Sequence, residues 1–536
     1  MSESVELLDC TLRDGAYIVK SYFGAAALRG IILHMQEAGA EIVECGWLKD
    51  TEHEYGSSFY HTPRDLEQYL VKRRQDVSYV VMIDWDRYDL QYLTPYDGKS
   101  IDAIRVVFPH GKHREAIEVG KAIKEKGYRL FFQAANTLAY SDEELDELAA
   151  AMNEAGPESL SVVDTFGAMY TEDLERIALR LDKTLAPGIK LGFHSHNNQQ
   201  LSFALSMHFV QMFRKSSRKL VVDASLCGMG RGAGNATTEL MASWLNRKLG
   251  KHYDLDMILD AIDVFMEYFK KNYSWGYSTP YFISGTYCTH VNNIAYLREK
   301  HRTNARDMKN IIASLPAEKR LVYDYDLLEK KYLDYYRRDV GTEETLEQLR
   351  SRFANRKVLM LCSGQSLREH ADDVQHFIRR NSPVTIGINA MFREYPYDFC
   401  FFSNPIRYAY FMMTDDKDFL EVERIVTSNI RTEPGENEHI MGFNRLLKCG
   451  WKYFDNAGIL CLRMLQLLHV KEVALAGFDG FKGIVGSDYA DDRMPTVIAD
   501  DDWAVVNRDI IEMLADFRST DGQGMHIEFI TPSIFA

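Results

Sequence analysis

The chain has 536 residues, 46% apolar and 26% charged, which is too long for one ordinary domain and leads us to expect two or three. The sequence has no apolar run of about 18 residues, the length a membrane helix needs, and its start, MSESVELLDC, lacks the basic-then-apolar order of a secretory signal. A net charge of −15 without a basic stripe argues against a duplex nucleic-acid partner, because phosphate binding calls for clustered Lys and Arg; small anionic substrates stay open.

The eight cysteines (Cys10, Cys45, Cys227, Cys288, Cys362, Cys400, Cys449 and Cys461) form no C-x-x-C pair and are irregularly spaced. Neither a zinc ribbon nor a disulfide framework is expected, and a reducing cytoplasm is the expected location.

Short β-rich runs recur in chain order: Val5–Cys10, Ala40–Gly46, Ser78–Asp84, Asp102–Phe108, Tyr128–Gln133, Ser159–Asp164, Lys190–His194 and Lys219–Ser225. Helical periodicity lies between them, as in Gly24–Ala38 and Ser141–Asn153. Eight strands alternating with helices predict a parallel sheet closed into a (β/α)8 TIM barrel over residues 1–250. Most of the runs end in a polar residue: Asp9, Glu44, Asp84, Gln133, Asp164, His194 and Asp223. Barrel active sites sit at the C-terminal ends of the strands, so these residues together outline a site, although any one of them is as readily explained by a wet loop.

Residues 251–350 are expected to form a helical extension and linker, with a connecting helix over the charged stretch Asp324–Arg352. A new α/β pattern starts at Arg356, with strands expected at Lys357–Cys362, Val384–Ile388, Phe399–Ser403, Glu472–Ala476 and His526–Ile530. It predicts a Rossmann-like α/β domain over residues 351–536.

The chemistry concentrates in a few places. In Gly192-Phe193-His194-Ser195-His196-Asn197, the two histidines are two residues apart and so face the same side of a strand, where both can approach one ion. The first strand is followed by Thr11-Leu12-Arg13-Asp14-Gly15, in which Asp14 offers a hard carboxylate. One carboxylate and two imidazoles suit a divalent cation, Mn²⁺ or Mg²⁺, better than structural zinc, which favours thiolates. The eighth strand leads into Gly228-Met229-Gly230-Arg231-Gly232-Ala233-Gly234-Asn235, a loop able to bring backbone close to a ligand, with Asn235 a candidate fourth ligand.

Together TLRDG, VECG, HSHN and GMGRGAGNATTE resemble, in order and on the matching elements, the DRE-TIM metallolyases. Within that superfamily the sequence is most similar to 4-hydroxy-2-oxoacid aldolases, over about residues 5–245. The resemblance implies a metal held by Asp14, His194 and His196, with Asn235 a further ligand. It also implies that Arg13 stabilises an enolate oxygen and that Glu44 orients Arg13. The implied reaction makes or breaks a carbon–carbon bond between a 2-oxo acid such as pyruvate and an aldehyde, and a homodimer is the implied assembly. One position departs from the family. The related aldolases carry a histidine base three residues after the metal-binding aspartate, and Tyr17 stands there, leaving Tyr17, a metal-bound hydroxide and His290 as candidates for proton transfer.

In the second domain, Cys362-Ser363-Gly364-Gln365-Ser366 forms a small-residue turn between a strand and a helix, a setting that suits a phosphate. With Ile386-Gly387-Ile388-Asn389, Phe402-Ser403-Asn404-Pro405, Asn456-Ala457-Gly458 and Gly477-Phe478-Asp479-Gly480, the domain resembles bacterial lipooligosaccharide sialyltransferases and pterin-pyrophosphokinase-like domains. That resemblance implies nucleotide or nucleotide-sugar binding near Gly364, Ser366, Asn389 and Asn404. Such transferases use a histidine base well after the GFD-like motif, and here no histidine occurs between His469 and His526. A domain that presents a nucleotide-linked sugar for surface-polysaccharide synthesis fits better than a transferase. The alternatives are a glycosyl- or pyrophosphoryl-transferase acting through this domain, or a non-catalytic nucleotide-sugar binding protein.

Overall fold

The computed structural model describes residues 4–299, 303–336, 341–413, 417–430, 437–448, 450–482, 489–490 and 503–536. The chain falls into two compact units, residues 1–298 with 303–323, and residues 299–302 with 324–536.

The first unit has nine parallel strands: β1 (Val5–Asp9), β2 (Ile42–Leu48), β3 (Phe59–Tyr60), β4 (Ser78–Asp84), β5 (Ala103–Phe108), β6 (Arg129–Ala134), β7 (Ser159–Asp164), β8 (Lys190–Ser195) and β9 (Leu220–Ala224). Eight of them close a barrel in the order β1-β2-β4-β5-β6-β7-β8-β9, with β9 pairing back to β1. The two-residue β3 pairs only with β2 and is too short to leave a periodic signal. Helices fill the connections where the apolar periodicity places them, including Ala25–Glu37 and Asp142–Ala155. The second of these starts with a reciprocal capping box between Ser141 and Glu144.

The barrel interior is layered by the two-residue period of its strands. Leu8, Ile42, Val80, Ala103, Phe131 and Val221 pack into one buried apolar cluster. Two residues further along β2, β5, β6 and β9, on the same face, stand Glu44, Arg105, Gln133 and Asp223, all at most 2% exposed. The apolar layer seals the base of the barrel. The polar layer above it becomes the floor of the site.

After the barrel the chain is helical: Leu255–Ala261, a π-turn at Ile262–Met266, Glu267–Asn272, Thr279–Thr286, Val291–Glu299 and Ala305–Ala313. The single connecting helix expected over Asp324–Arg352 is replaced by two, Tyr325–Tyr336 and Thr342–Phe353, and residues 337–340 between them lie outside the described residues. Both belong to the second unit, whose long continuous stretch starts at Asp324, ahead of the boundary near 350 expected from the sequence. Among the described residues, no helix is long and apolar enough to cross a membrane.

The second unit is a seven-stranded, all-parallel sheet: β10 (Val358–Leu361), β11 (Val384–Ile388), β12 (Phe399–Phe402), β13 (Glu423–Thr427), β14 (Glu438–Met441), β15 (Glu472–Ala476) and β16 (His526–Phe529). Its order is β14-β13-β12-β11-β10-β15-β16, so the winding direction reverses between β10 and β15. Five of these strands are legible in the sequence; β13 and β14 are not. Each opens on charged or polar residues, Glu423-Arg424 and Glu438-His439. Across the pair Glu423 meets His439 at 2.8 Å and Arg424 meets Glu438 at 3.4 Å.

Candidate active site

The residues after β1 turn at once into a one-turn helix, Thr11–Asp14, fastened by Thr11 Oγ1 accepting the Leu226 backbone N–H at 2.8 Å. This turn places Arg13 and Asp14 side by side, both buried, over the barrel mouth. At the far side β8 delivers His194, and His196 follows it in an isolated bridge with Asn235. Asp14, His194 and His196 each present a ligand atom, and these atoms all lie within 4.8 Å of one another. The structure thus brings together the three residues expected to hold the metal.

These residues fit a divalent cation on three counts. Burial pushes the Asp14 carboxyl up, but Arg13 and the two imidazoles outweigh it and hold the group ionised, below the usual carboxylate range. Burial pushes His196 down to about 4, so its imidazole is neutral and free to ligate near pH 7. The Asn235 Nδ2 donates to Asp14 Oδ2 at 2.6 Å and to the Met229 carbonyl at 3.3 Å, while its Oδ1 is buried with no hydrogen-bond partner among the described residues. As placed, Asn235 orients Asp14 and holds a spare acceptor at the site.

The backbone must come very close to these groups. A Cβ on Gly230 would stand 2.5 Å from Asp14 Oδ2 and closer still to the Asn235 amide, so no larger residue fits there. On the opposite wall, Gly46 at φ +145° lies at a register irregularity between Glu44 and Trp47, in a backbone conformation that favours glycine. Glu44 is there fully buried, and the Trp47 indole donates to the Arg13 carbonyl at 3.0 Å.

A continuous chain of buried charge links the two ends of the site. Arg13 Nη1 donates to Asp14 Oδ1 at 2.7 Å and its Nε to Glu44 Oε2 at 2.7 Å. Glu44 Oε2 also lies 2.8 Å from Arg105 Nη1, and Arg105 Nη2 donates to Asp223 Oδ2 at 2.5 Å. Asp223 Oδ2 is in turn 3.0 Å from His194 Nδ1. The chain Asp14–Arg13–Glu44–Arg105–Asp223 alternates in sign, ends against the His194 imidazole and has one more carboxylate than guanidinium. A cation at the open end balances it. With Asp223 beside Nδ1, the His194 Nε2 is left for a metal.

Arg105 and this role of Asp223 are the parts that motif reading misses. The available signal is Arg105 itself, the one charged residue in the run Ala103-Ile104-Arg105-Val106-Val107-Phe108, two places after a barrel-filling alanine. Asp223→Asn is expected to weaken Mn²⁺ binding about 10- to 100-fold. A Mn²⁺ titration followed by electron paramagnetic resonance reads this directly, and an unchanged dissociation constant refutes the orienting role.

Other polar strand ends serve the scaffold. Asp9 accepts from the Thr11 N–H at 3.1 Å and from Thr238 Oγ1 at 2.7 Å. Asp164 accepts from the Ala168 N–H at 2.8 Å, and Asp84 pairs with Lys49 at 2.6 Å.

Tyr17 and His290 meet through Arg231. The Arg231 guanidinium lies 4.9 Å from the Tyr17 ring centroid, and its Nη2 is 3.1 Å from His290 Nε2. Burial, then the Arg231 charge, pushes His290 down to about 3. Tyr17 packs edge-on to Trp47, with its phenol raised above the ordinary value, first by desolvation.

In the second unit Gly364, Ser366, Asn389 and Asn404 lie just past the C-terminal ends of β10, β11 and β12, the edge at which sheets of this type bind ligands. Their polar groups are largely engaged by the protein. The Ser366 N–H, where a phosphate was expected, donates to Asp479 Oδ2 at 2.7 Å, and Ser366 Oγ bonds Asp479 Oδ1 and Thr531 Oγ1. Asn389, at φ +56°, accepts the Ser403 N–H at 3.0 Å, and Asn404 caps the helix Pro405–Met412.

The chain is similar to known proteins over its first half. Residues 110–264 match the HMGL-like family model. The chain is 26% identical over 273 residues to a 4-hydroxy-2-oxovalerate aldolase of Geobacillus genomosp. 3, covering 49% of this chain and 77% of that one. It is 28% identical over 262 residues to a 4-hydroxy-2-oxovalerate aldolase of Thermomicrobium roseum, covering 48% of this chain and 70% of that one. Among solved structures, the N-terminal domain of a putative aldolase from Bacteroides vulgatus is 26% identical, covers 56% of this chain and 99% of its own, and has a TM-score of 0.47. Part of the first unit thus matches the HMGL-like model, and the two curated relatives named here are 4-hydroxy-2-oxovalerate aldolases.

Proposed function

We infer, taking the HMGL-like domain as premise, that the barrel is a divalent-cation-dependent lyase that makes or breaks a carbon–carbon bond next to the carbonyl of a 2-oxo acid such as pyruvate, with an aldehyde as partner. The observation that carries this is the joining of the Asp14–His194–His196 cluster to the Arg13–Glu44 pair in one buried chain of charge.

Asp14, His194 and His196 would hold Mn²⁺ or Mg²⁺, which when bound supplies Lewis-acid stabilisation to a carbonyl oxygen. Arg13 is fixed by Glu44 and Asp14 through two of its N–H groups, and its remaining N–H groups meet the negative charge that develops on the ketone oxygen as the α-carbon bond is cleaved or formed. Because Glu44 and Asp14 hold it already, the guanidinium needs no reorganisation at that moment. His290, neutral near pH 7 but a weak base while Arg231 faces it, and Tyr17, protonated at that pH, are the side chains available for proton transfer.

The second unit, by its resemblance to nucleotide-sugar enzymes, would present a nucleotide-linked sugar in surface-polysaccharide synthesis, with Gly364, Ser366, Asn389 and Asn404 beside it. A homodimer working in the cytoplasm is part of the same reading.

The test is exchange of the pyruvate α-protons in D₂O, followed by NMR with Mn²⁺ or Mg²⁺ and then with chelator. Exchange is expected with metal and is expected to vanish in chelator and in His194→Ala. Full exchange in chelator sinks the reading. Nucleotide-sugar turnover that survives His194→Ala but is lost in Asn389→Ala moves the chemistry to the second unit.

A further inference from the structure

The site holds a cation that no carboxylate matches. Its other arginines are paired: Arg13 with Asp14 and Glu44, Arg105 with Glu44 and Asp223. Arg231 follows Gly230, the glycine that abuts Asp14 and Asn235, and so stands at the lip of the metal cluster. It is half-buried, and among the described residues it forms no ion pair. Its Nη2 faces two uncharged groups instead, Asn292 Oδ1 at 3.1 Å and His290 Nε2 at 3.1 Å. A partly desolvated guanidinium is satisfied less well by uncharged acceptors than by a carboxylate or phosphate, with which it forms shorter, stronger and often paired hydrogen bonds.

The imidazole contact is also a compromise. His290 Nδ1 already faces the Asn292 backbone N–H at 3.2 Å. A neutral imidazole has one acceptor nitrogen and one N–H, so it cannot accept from both Asn292 and Arg231. One of the two contacts sets donor against donor. Arg231 therefore loses little by leaving His290 for an anion, and its departure frees a ring nitrogen of His290 beside the reacting groups.

We propose that Arg231 binds an anionic group, a carboxylate or a phosphate, on the aldehyde partner, so that the enzyme selects anionic aldehydes over neutral ones. This rests on the lyase reading above. The aldehyde is assigned rather than the 2-oxo acid because, in that reading, Arg13 and a cation held by Asp14, His194 and His196 already serve the ketone of the latter. Arg231 lies instead beside Tyr17 and His290, which serve proton transfer.

The test uses the full-length protein with Mn²⁺ and pyruvate, and compares kcat/KM for matched aldehydes: 4-oxobutanoate against butanal, and glyceraldehyde 3-phosphate against glyceraldehyde. At least one anionic aldehyde is expected to be preferred over its neutral match by about 10- to 100-fold, the worth of a hydrogen bond to a charged group. Whichever pair shows the larger ratio distinguishes carboxylate from phosphate. Arg231→Met is expected to bring that ratio close to one through the KM for the aldehyde, and Arg231→Lys to restore part of it. Pyruvate α-proton exchange by the wild type without preference in either pair overturns this proposal and leaves the lyase reading standing. So does an Arg231→Met variant whose pyruvate KM rises as much as its aldehyde KM. No exchange by the wild type overturns both.

Discussion

Arg13→Lys is expected to lower kcat for carbon–carbon bond cleavage or formation by about 10²- to 10³-fold, the usual effect of removing one oxyanion donor. The reason is geometric, since the charge is kept. The guanidinium spans Glu44 and Asp14 with two N–H groups in a fixed fork and still has others for substrate. An ammonium has three rotatable donors on a flexible stem and must choose among Glu44, Asp14 and the oxyanion. The substrate KM is expected to change much less than kcat, because the lost interaction belongs mainly to the transition state. Steady-state kinetics with Mn²⁺ saturating separates the two, and a kcat within a factor of three of wild type refutes the role given to Arg13.

Arg105→Met is expected to show the largest loss of stability. Arg105 is fully buried and touches no substrate in the proposed mechanism, yet it alone stands between Glu44 and Asp223. Its removal leaves two buried carboxylates facing each other across a barrel interior closed by Leu8, Ile42 and Phe131. Removing one partner of a buried ion pair costs roughly 3–5 kcal/mol. For a unit of this size that lowers Tm by roughly 6–15 °C. Thermal unfolding monitored by circular dichroism measures the shift. The double variant Glu44→Gln with Arg105→Met is expected to recover part of the loss, because one uncompensated charge is removed with its partner. A Tm within 2 °C of wild type for Arg105→Met means that water reaches these carboxylates and that the chain of charge is not a closed one.

The sequence by itself determined the parts governed by local periodicity. Alternation of apolar runs with helical segments is a short-range property, so all eight barrel strands could be placed to within about two residues, and the parallel, closed sheet followed from their number. The spacing of His194 and His196 and the position of Asp14 after β1 are equally local, and the structure brings the three together. Where pairing depends on partners distant in the chain, the sequence says little. β13 and β14 open on charges whose partners lie on the neighbouring strand and on the helix that carries Arg352, so neither stands out by composition. Arg105 is linked to Asp223 from 118 residues away, and Arg231 meets His290 from 59 residues away. Only barrel closure makes the first a bridge between Glu44 and Asp223, and only the packing of the helices after β9 sets the second against an imidazole instead of a carboxylate. The Ser366 turn shows the same limit. Its small residues suit a phosphate, but the strand reversal between β10 and β15 brings Asp479 onto its free N–H. Propensity acts over a few residues, whereas the pairing of buried charges is settled by which strands and loops become neighbours; motif reading therefore singled out the candidate ligands, and the tertiary structure decided what surrounds them.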